Sequence, residues 1–257
     1  MSWLKAVIKR CLPLPVIRLL RRDYRRRLGL NYHGWYEDAE RFEFLRKAFI
    51  ALKFNGIAGD YAEFGCWGAN TFRMAYRILA KYTYDVGPFH LWAFDSFQGL
   101  PKAADAKDDH PAWIEGSLTT SLDRFHELCQ SSGVPRSAYT TVPGFYEQSL
   151  EPIAPGPRPD KIRLAYIDCD MFTSTKTVLR FLMPRLQHGM ILAFDDYYCY
   201  SATMPSGERL AVAEAFADNT HWRLLPYVQF GWHGMSFIVE AVGKGGAKGN
   251  GNHESHW

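Results

Sequence analysis

The stretch IRLAYIDCDMFTSTKTVLRFLMPRLQHGMILAFDDYY, Ile162 to Tyr198, decides the architecture. Ile162 to Ile167 is a nearly continuous apolar run that stops on Asp168, Cys169 and Asp170. Met190 to Phe194 is a second run, stopping on Asp195 and Asp196. Between them, about Thr175 to Leu186, apolar residues recur at helical spacing. Short apolar runs are strands buried on both faces, and a helix joining two of them is the crossover of a parallel sheet.

The same pattern repeats toward the N-terminus. Tyr61 to Phe64 reads as a strand, Gly65 and Gly68 as a turn, and Thr71 to Lys81 as a helix. Phe89 to Asp95 is the next strand, running into Ser96. A helix near Ser121 to Ser131, a strand at Tyr139 to Val142 and a turn at Pro143 and Gly144 follow. Ahead of all of them, Tyr36 to Lys53 has the spacing of an amphipathic helix. Toward the C-terminus a helix over Gly207 to Asp218 precedes strands at Trp222 to Leu225 and Met235 to Val242. No helical pattern separates those two strands, which predicts an antiparallel pair at one edge of an otherwise parallel α/β sheet with helices on both faces.

Of the 257 residues, 47% are hydrophobic and 22% charged, enough for one good core. Met1 to Gly29 holds nine basic residues against Asp23 alone, a charge of +8, so the remainder carries −5 of the total +3. The expected division is a basic extension over 1–33, a single domain over 34–242 and a disordered glycine-rich tail over 243–257. The five cysteines form no CxxC pair, which argues against a disulfide framework or a zinc site and for a reducing cytoplasm. Lys9, Arg10, Pro13 and Pro15 interrupt any signal-peptide or membrane-spanning run. The basic extension is read as a helix packing on the domain or a second subunit, or as a peripheral contact with the inner face of an anionic membrane. No nucleic-acid partner is expected, and a homo-oligomer is.

In open α/β sheets ligands sit beyond the carboxyl ends of the strands. Gly65 and Gly68, after Glu63, permit a tight turn and close approach to a ligand, although a plain strand-to-helix turn reads the same. Asp95 stands where an acid can accept bonds from ribose hydroxyls; an Asx turn with Ser96 is the alternative. Asp168, Asp195 and Asp196 would crowd three carboxylates together. Like charges at about 4 Å repel by about 4 kcal/mol at an effective dielectric of 20, and an oxygen-only donor set favours Mg²⁺ as the neutralising cation. Asp170, just before the next helix, is the expected cap.

The segments GDYAEFGCWGANTF, FDSFQGLP, GFYEQSL and the Ile167 to Tyr198 block resemble the macrocin O-methyltransferase group of class I S-adenosylmethionine-dependent methyltransferases, which methylate sugar hydroxyls. The resemblance implies a Rossmann-like, seven-stranded domain with S-adenosylmethionine and Mg²⁺ as cofactors and a glycan or glycoside hydroxyl as acceptor. It places Glu63, Gly65, Gly68, Thr71, Asp95, Ser96 and Asp168 at the cofactor, Gly144 and Phe145 near the adenine, and Mg²⁺ on Asp168, Asp195 and Asp196. Two departures stand out: Ala69 occupies the usual position of a glycine, and Met171 stands where catechol-type relatives carry a lysine base. Asp168 and His233 are the catalytic candidates, with Tyr197 and His221 as other possible bases. Lys102 to Gly116 reads as a lid, with Trp113 able to stack on a sugar. Two rival readings remain open: a metal-dependent glycosyltransferase using the DxD of Asp168 to Asp170, and a non-catalytic cofactor-binding module.

Overall fold

The computed structural model describes residues 35–82, 89–151 and 156–243. The basic extension, with the packing or membrane contact expected of it, and almost all of the glycine-rich tail lie outside them. The helix α1 spans Trp35–Phe54, followed by β1 (Asp60–Phe64), α2 (Asn70–Tyr82), β2 (Leu91–Asp95), α3 (Leu122–Ser131), β3 (Tyr139–Pro143) and the single-turn α4 (Tyr146–Ser149). The second half contributes β4 (Ile162–Ile167), α5 (Phe172–Leu182), β5 (Ile191–Phe194), α6 (Gly207–Phe216), β6 (Trp222–Phe230) and β7 (Gly234–Ala241).

The seven strands form one sheet in the order β3-β2-β1-β4-β5-β7-β6. All pairs are parallel except β5 with β7 and β7 with β6. Side chains of the central strands alternate between two cores, as a period of two requires. Tyr61, Leu164 and Tyr166 face a core built with Phe44 and Phe49 of α1, Phe72 of α2 and Phe125 of α3. Ala62, Phe64, Ala165 and Ile167 face the other, with Phe172, Val178 and Leu182 of α5 and Ala211 of α6. Every residue of β4 is buried, which explains its unbroken apolar sequence.

Three boundaries differ from the sequence reading. Helix α5 starts at Phe172 and gives way to a 3-10 turn at Met183–Arg185, because Pro184 cannot continue an α-helix. Strand β6 runs on to Phe230 through a register shift between Pro226 and Gln229, tolerated because β6 is the edge strand. Asp170 does not cap α5. Met171 is the N-cap residue and makes no side-chain bond there. The cap comes instead from Asp108, 65 positions earlier, whose Oδ1 accepts from the Thr173 amide at 2.8 Å and whose Oδ2 accepts from the Thr173 hydroxyl at 2.9 Å.

Strand order reverses between β1 and β4, the topological switch point at which such sheets bind ligands. Register places Phe94, Phe64, Ile167 and Phe194 side by side as the last residues in step. The next residues, Asp95, Gly65, Asp168 and Asp195, therefore form a row across four adjacent strand ends. Amide bonds fix that row: Gly65 donates to Phe94 at 2.9 Å, Asp168 to Phe64 at 2.8 Å and Asp195 to Ile167 at 2.8 Å.

Candidate active site

Along one half of that row lies an open cleft, placed where small-molecule sites of such sheets are found. Gly65, Asp95, Ser96, Leu100, Phe145 and Asp168 are among its lining residues. Gly65 has φ +91°, and a Cβ built on it would lie 1.7 Å from the Asp168 carbonyl oxygen. Only glycine permits β1 and β4 to end this close together. Gly68 is also left-handed, at φ +67°, but a Cβ there would meet only the Asn70 side chain, at 3.5 Å. Ala69 follows with φ +52°, so the residue replacing the usual glycine still adopts glycine-like backbone.

Asp95 is a structural hub of this cleft. Its Oδ2 accepts from the Cys66 amide and its Oδ1 from the Phe97 amide, both at 2.6 Å. The Asx turn and a place in the cleft wall thus hold together, and one carboxylate ties the β1 turn to the β2 turn. Burial raises the Asp95 carboxyl despite those two bonds. Ser96 donates to the Gly99 carbonyl at 2.9 Å and accepts from the Gln98 amide at 3.0 Å. Gly144 is bonded by its amide to the Asp95 carbonyl at 2.9 Å and sets the turn that brings Phe145 to the cleft.

Of the expected cofactor residues, Gly68 and Gly144 shape turns without lining this wall, and Glu63 and Thr71 stand behind it. Glu63 is fully buried beneath the glycine turn, takes the Tyr61 hydroxyl as a hydrogen-bond donor, and accepts from the Phe72 amide in the first turn of α2. Burial pushes its carboxyl up to about 8. Thr71 is likewise buried inside α2. Both shape the turn from behind.

At the β4 and β5 ends the acids gather. Asp195 is buried and held by a bidentate fork: Arg41 Nε donates to Oδ1 at 2.9 Å and Nη2 to Oδ2 at 2.5 Å, while the Tyr166 hydroxyl also donates to Oδ1. Burial pushes the Asp195 carboxyl up, but the Arg41 bonds and charge outweigh it and hold it below the ordinary range. Among the described residues no guanidinium is bonded to Asp168 or Asp170. Burial, then repulsion from Asp195 and Asp196, raises both well above ordinary carboxyls. Burial followed by the Asp195 charge pushes Asp196 up to about 6. Glu208 of α6 is completely buried and clamps the two strand ends, accepting from the Asp196 amide at 2.9 Å and the Cys169 amide at 3.4 Å.

His233 does not face the cleft as a free base. Its Nδ1–H donates to the Asp195 main-chain carbonyl at 2.6 Å, and Nε2 lies 3.5 Å from Arg41 Nη2. It braces Asp195 from behind. Among the described residues, the compact group able to touch one ion is Asp195, Asp196 and His233, with donor atoms within 4.8 Å of one another; Asp168 is not part of it.

The predicted lid is a strap whose neck is closed by paired backbone bonds, Gly116 to Leu100 at 2.9 Å and Leu100 to Ser117 at 3.0 Å. Leu100, Pro101 and Leu118 at the neck wall the cleft. The tip is pinned to α5 by Asp108 and to α6 by Lys107, 2.9 Å from Glu214. Trp113 hydrogen-bonds Asp170, and its ring would lie 3.3 Å from a Cβ on Gly207. It is anchored to the acid cluster and is not a free stacking platform.

A switch-point cleft beside buried acids fits several transferases. Residues 36–217, more than half of the chain, match the family described as Macrocin-O-methyltransferase (TylF). The chain belongs to the macrocin O-methyltransferase family. As a member it is an S-adenosylmethionine-dependent O-methyltransferase, and the glycosyltransferase and non-catalytic readings fall away. Mycinamicin III 3''-O-methyltransferase of Micromonospora griseorubida is 30% identical over 66% of this chain and 70% of its own length. A tetracenomycin rhamnosyl 4'-O-methyltransferase of Streptomyces olivaceus is 28% identical over 56% of this chain, so the chain spans about half of that relative's length, 54%. Among solved folds, the O-methyltransferase NovP superposes with a TM-score of 0.62 at 24% identity, covering 77% of this chain and 79% of its own. A calicheamicin methyltransferase superposes at 0.60 with 21% identity over 89% and 87%. Among the described residues no helix is long and apolar enough to cross a membrane.

Proposed function

We propose that this methyltransferase acts on a sugar hydroxyl of a glycosylated small molecule, with Mg²⁺ held by Asp195 and Asp196, the two acids of the compact group, and Asp168 beside it. The observation carrying this reading is the row of strand ends, in which the Gly65 to Asp95 half forms a cleft and the Asp168 to Asp196 half collects acids. The tetracenomycin relative, named for 4'-O-methylation of a rhamnosyl-bearing compound, supports the acceptor class.

Asp195 and Asp196 supply the carboxylate oxygen that a hard divalent cation prefers, and Asp196 is pushed upward by burial and the Asp195 charge, which a cation relieves. When bound, S-adenosylmethionine supplies an electrophilic methyl on its sulfonium, and Mg²⁺ acidifies and orients a hydroxyl. The protein's part is positioning. Gly65, Asp95, Ser96 and Phe145 seat the donor, with the bare glycine backbone allowing close approach. Asp168 and Asp196 receive the acceptor hydroxyl beside it, and Leu100 and Leu118 of the strap neck add apolar wall to the cleft. Fixing both partners for in-line displacement supplies most of the rate. Asp168 lines the cleft and is the carboxyl placed to take the hydroxyl proton in this scheme, and His233 is a brace.

The test measures methyl transfer by mass spectrometry to a panel of glycosides and non-glycosylated phenols, with Mg²⁺ or EDTA, alongside S-adenosylhomocysteine calorimetry. Methylated glycosides, lost with EDTA or in Asp196→Asn while product binding persists, are expected. Equal turnover in EDTA removes the metal, and transfer to phenols alone removes the sugar acceptor.

A further inference from the structure

Arg41 belongs to α1, the first described element, and reaches across the α1 face of the sheet to a residue 154 positions later. Its guanidinium spends its fork on both oxygens of Asp195, at 2.9 and 2.5 Å, with Nη2 also 3.5 Å from His233 Nε2 and Nη1 4.0 Å from Asp38. The helix that carries it is locked in place by Phe44, stacked on Phe230 at 4.3 Å between ring centroids and tilted against Tyr166 at 6.4 Å. Tyr166 in turn donates to Asp195. Three side chains from three different elements, α1, β4 and the turn before β7, therefore converge on one residue. Arg41 fixes the carboxylate plane, Tyr166 shares one oxygen, and His233 holds the main chain.

The geometry points to Arg41 as a positioning residue of the methyl-transfer site, one that orients the Asp195 carboxylate and couples the docking of α1 to the competence of the acid cluster. This rests on the reading of Asp195 as a cation ligand. A planar fork holds a carboxylate in one orientation, which an ammonium cannot do, so the role is specific to arginine. Losing an outer-shell partner of a metal ligand costs about ten- to hundredfold in metal affinity or activity.

The test compares wild type with Arg41→Gln, Arg41→Lys and Arg41→Ala, using Arg46→Gln as the control, since Arg46 sits on the same helix and, among the described residues, pairs with Glu43 on that helix. Four readouts are taken: Mn²⁺ affinity by electron paramagnetic resonance without donor or acceptor, S-adenosylhomocysteine affinity by calorimetry, turnover, and thermal unfolding. Arg41→Gln and Arg41→Lys are expected to lose about ten- to hundredfold in Mn²⁺ affinity and turnover while product affinity stays within about twofold. Methylguanidine is expected to restore part of the turnover of Arg41→Ala and none to Arg46→Gln. Wild-type Mn²⁺ affinity and turnover in Arg41→Gln overturn the proposal. So does a loss that methylguanidine does not rescue and that product affinity and melting temperature share, because that outcome is structural. If wild type itself binds no Mn²⁺, the cation reading fails separately, and turnover with methylguanidine rescue alone decides the role of Arg41.

Discussion

Replacing Gly65 with alanine puts the crossing of β1 and β4 under direct load. The new Cβ would start 1.7 Å from the Asp168 carbonyl oxygen and 2.7 Å from its carbon, whereas real contacts hold to at least 3.0 Å. The strand ends must move apart by more than an ångström, at a backbone φ of +91° that alanine already adopts at a cost. Strain of that kind costs about 1–3 kcal/mol, and overpacking adds about 1–3 kcal/mol. For a chain of this size each kcal/mol lowers Tm by about 2–4 °C, so a fall on the order of 10 °C is expected by circular dichroism. Displacing one wall of the donor cleft by an ångström costs about a hundredfold in rate, and S-adenosylhomocysteine affinity measured by calorimetry is expected to fall sharply with it. A variant that melts and binds like wild type would refute the close approach of these strands as the basis of the site.

Asp108→Ala removes a helix cap and two bonds to Thr173, so stability is expected to drop by about 1–2 kcal/mol in denaturant titration. With the strap tip released, KM for the acceptor should rise more than Kd for the donor product; equal changes would separate the strap from acceptor binding. Glu63 has a carboxyl raised from 4.5 to about 8 in the folded chain. The unfolded chain therefore binds fewer protons between those values, and this group makes stability decline as pH rises through that window. Glu63→Gln is expected to lessen the decline in Tm between pH 5 and 8 relative to wild type, and parallel curves would exclude the assignment.

Strand ends were legible because their signal is local. An apolar run ending in acid, as at Ile167 and Asp168, reveals both the strand and its functional tip in consecutive residues. The βα periodicity likewise carried the sheet, and the absence of a helix between Trp222 and Met235 carried its reversed pair. What stayed hidden depends on side chains meeting across long separations. Arg41 reads as one more charge on the wet face of an amphipathic helix, and only folding shows it entering the cluster. Asp108 sits in a polar loop whose sequence says nothing of Thr173. Glu208, on a short helix after the motif, gives no sign that it is buried against Cys169 and Asp196. The expectation of three uncompensated carboxylates also missed that Asp195 arrives with its own countercharge.

The closed neck of the strap gives it the character of a cassette. Because Leu100 and Gly116 are bonded to each other, the intervening residues begin and end at nearly one point, and an exchange within His110 to Glu115 that keeps Trp113, the residue bonded to Asp170, leaves that neck in place. Asp108 and Lys107 fasten the insert from outside. Swapping the residues that flank Trp113 among family members is thus a direct way to vary the strap without reopening its neck.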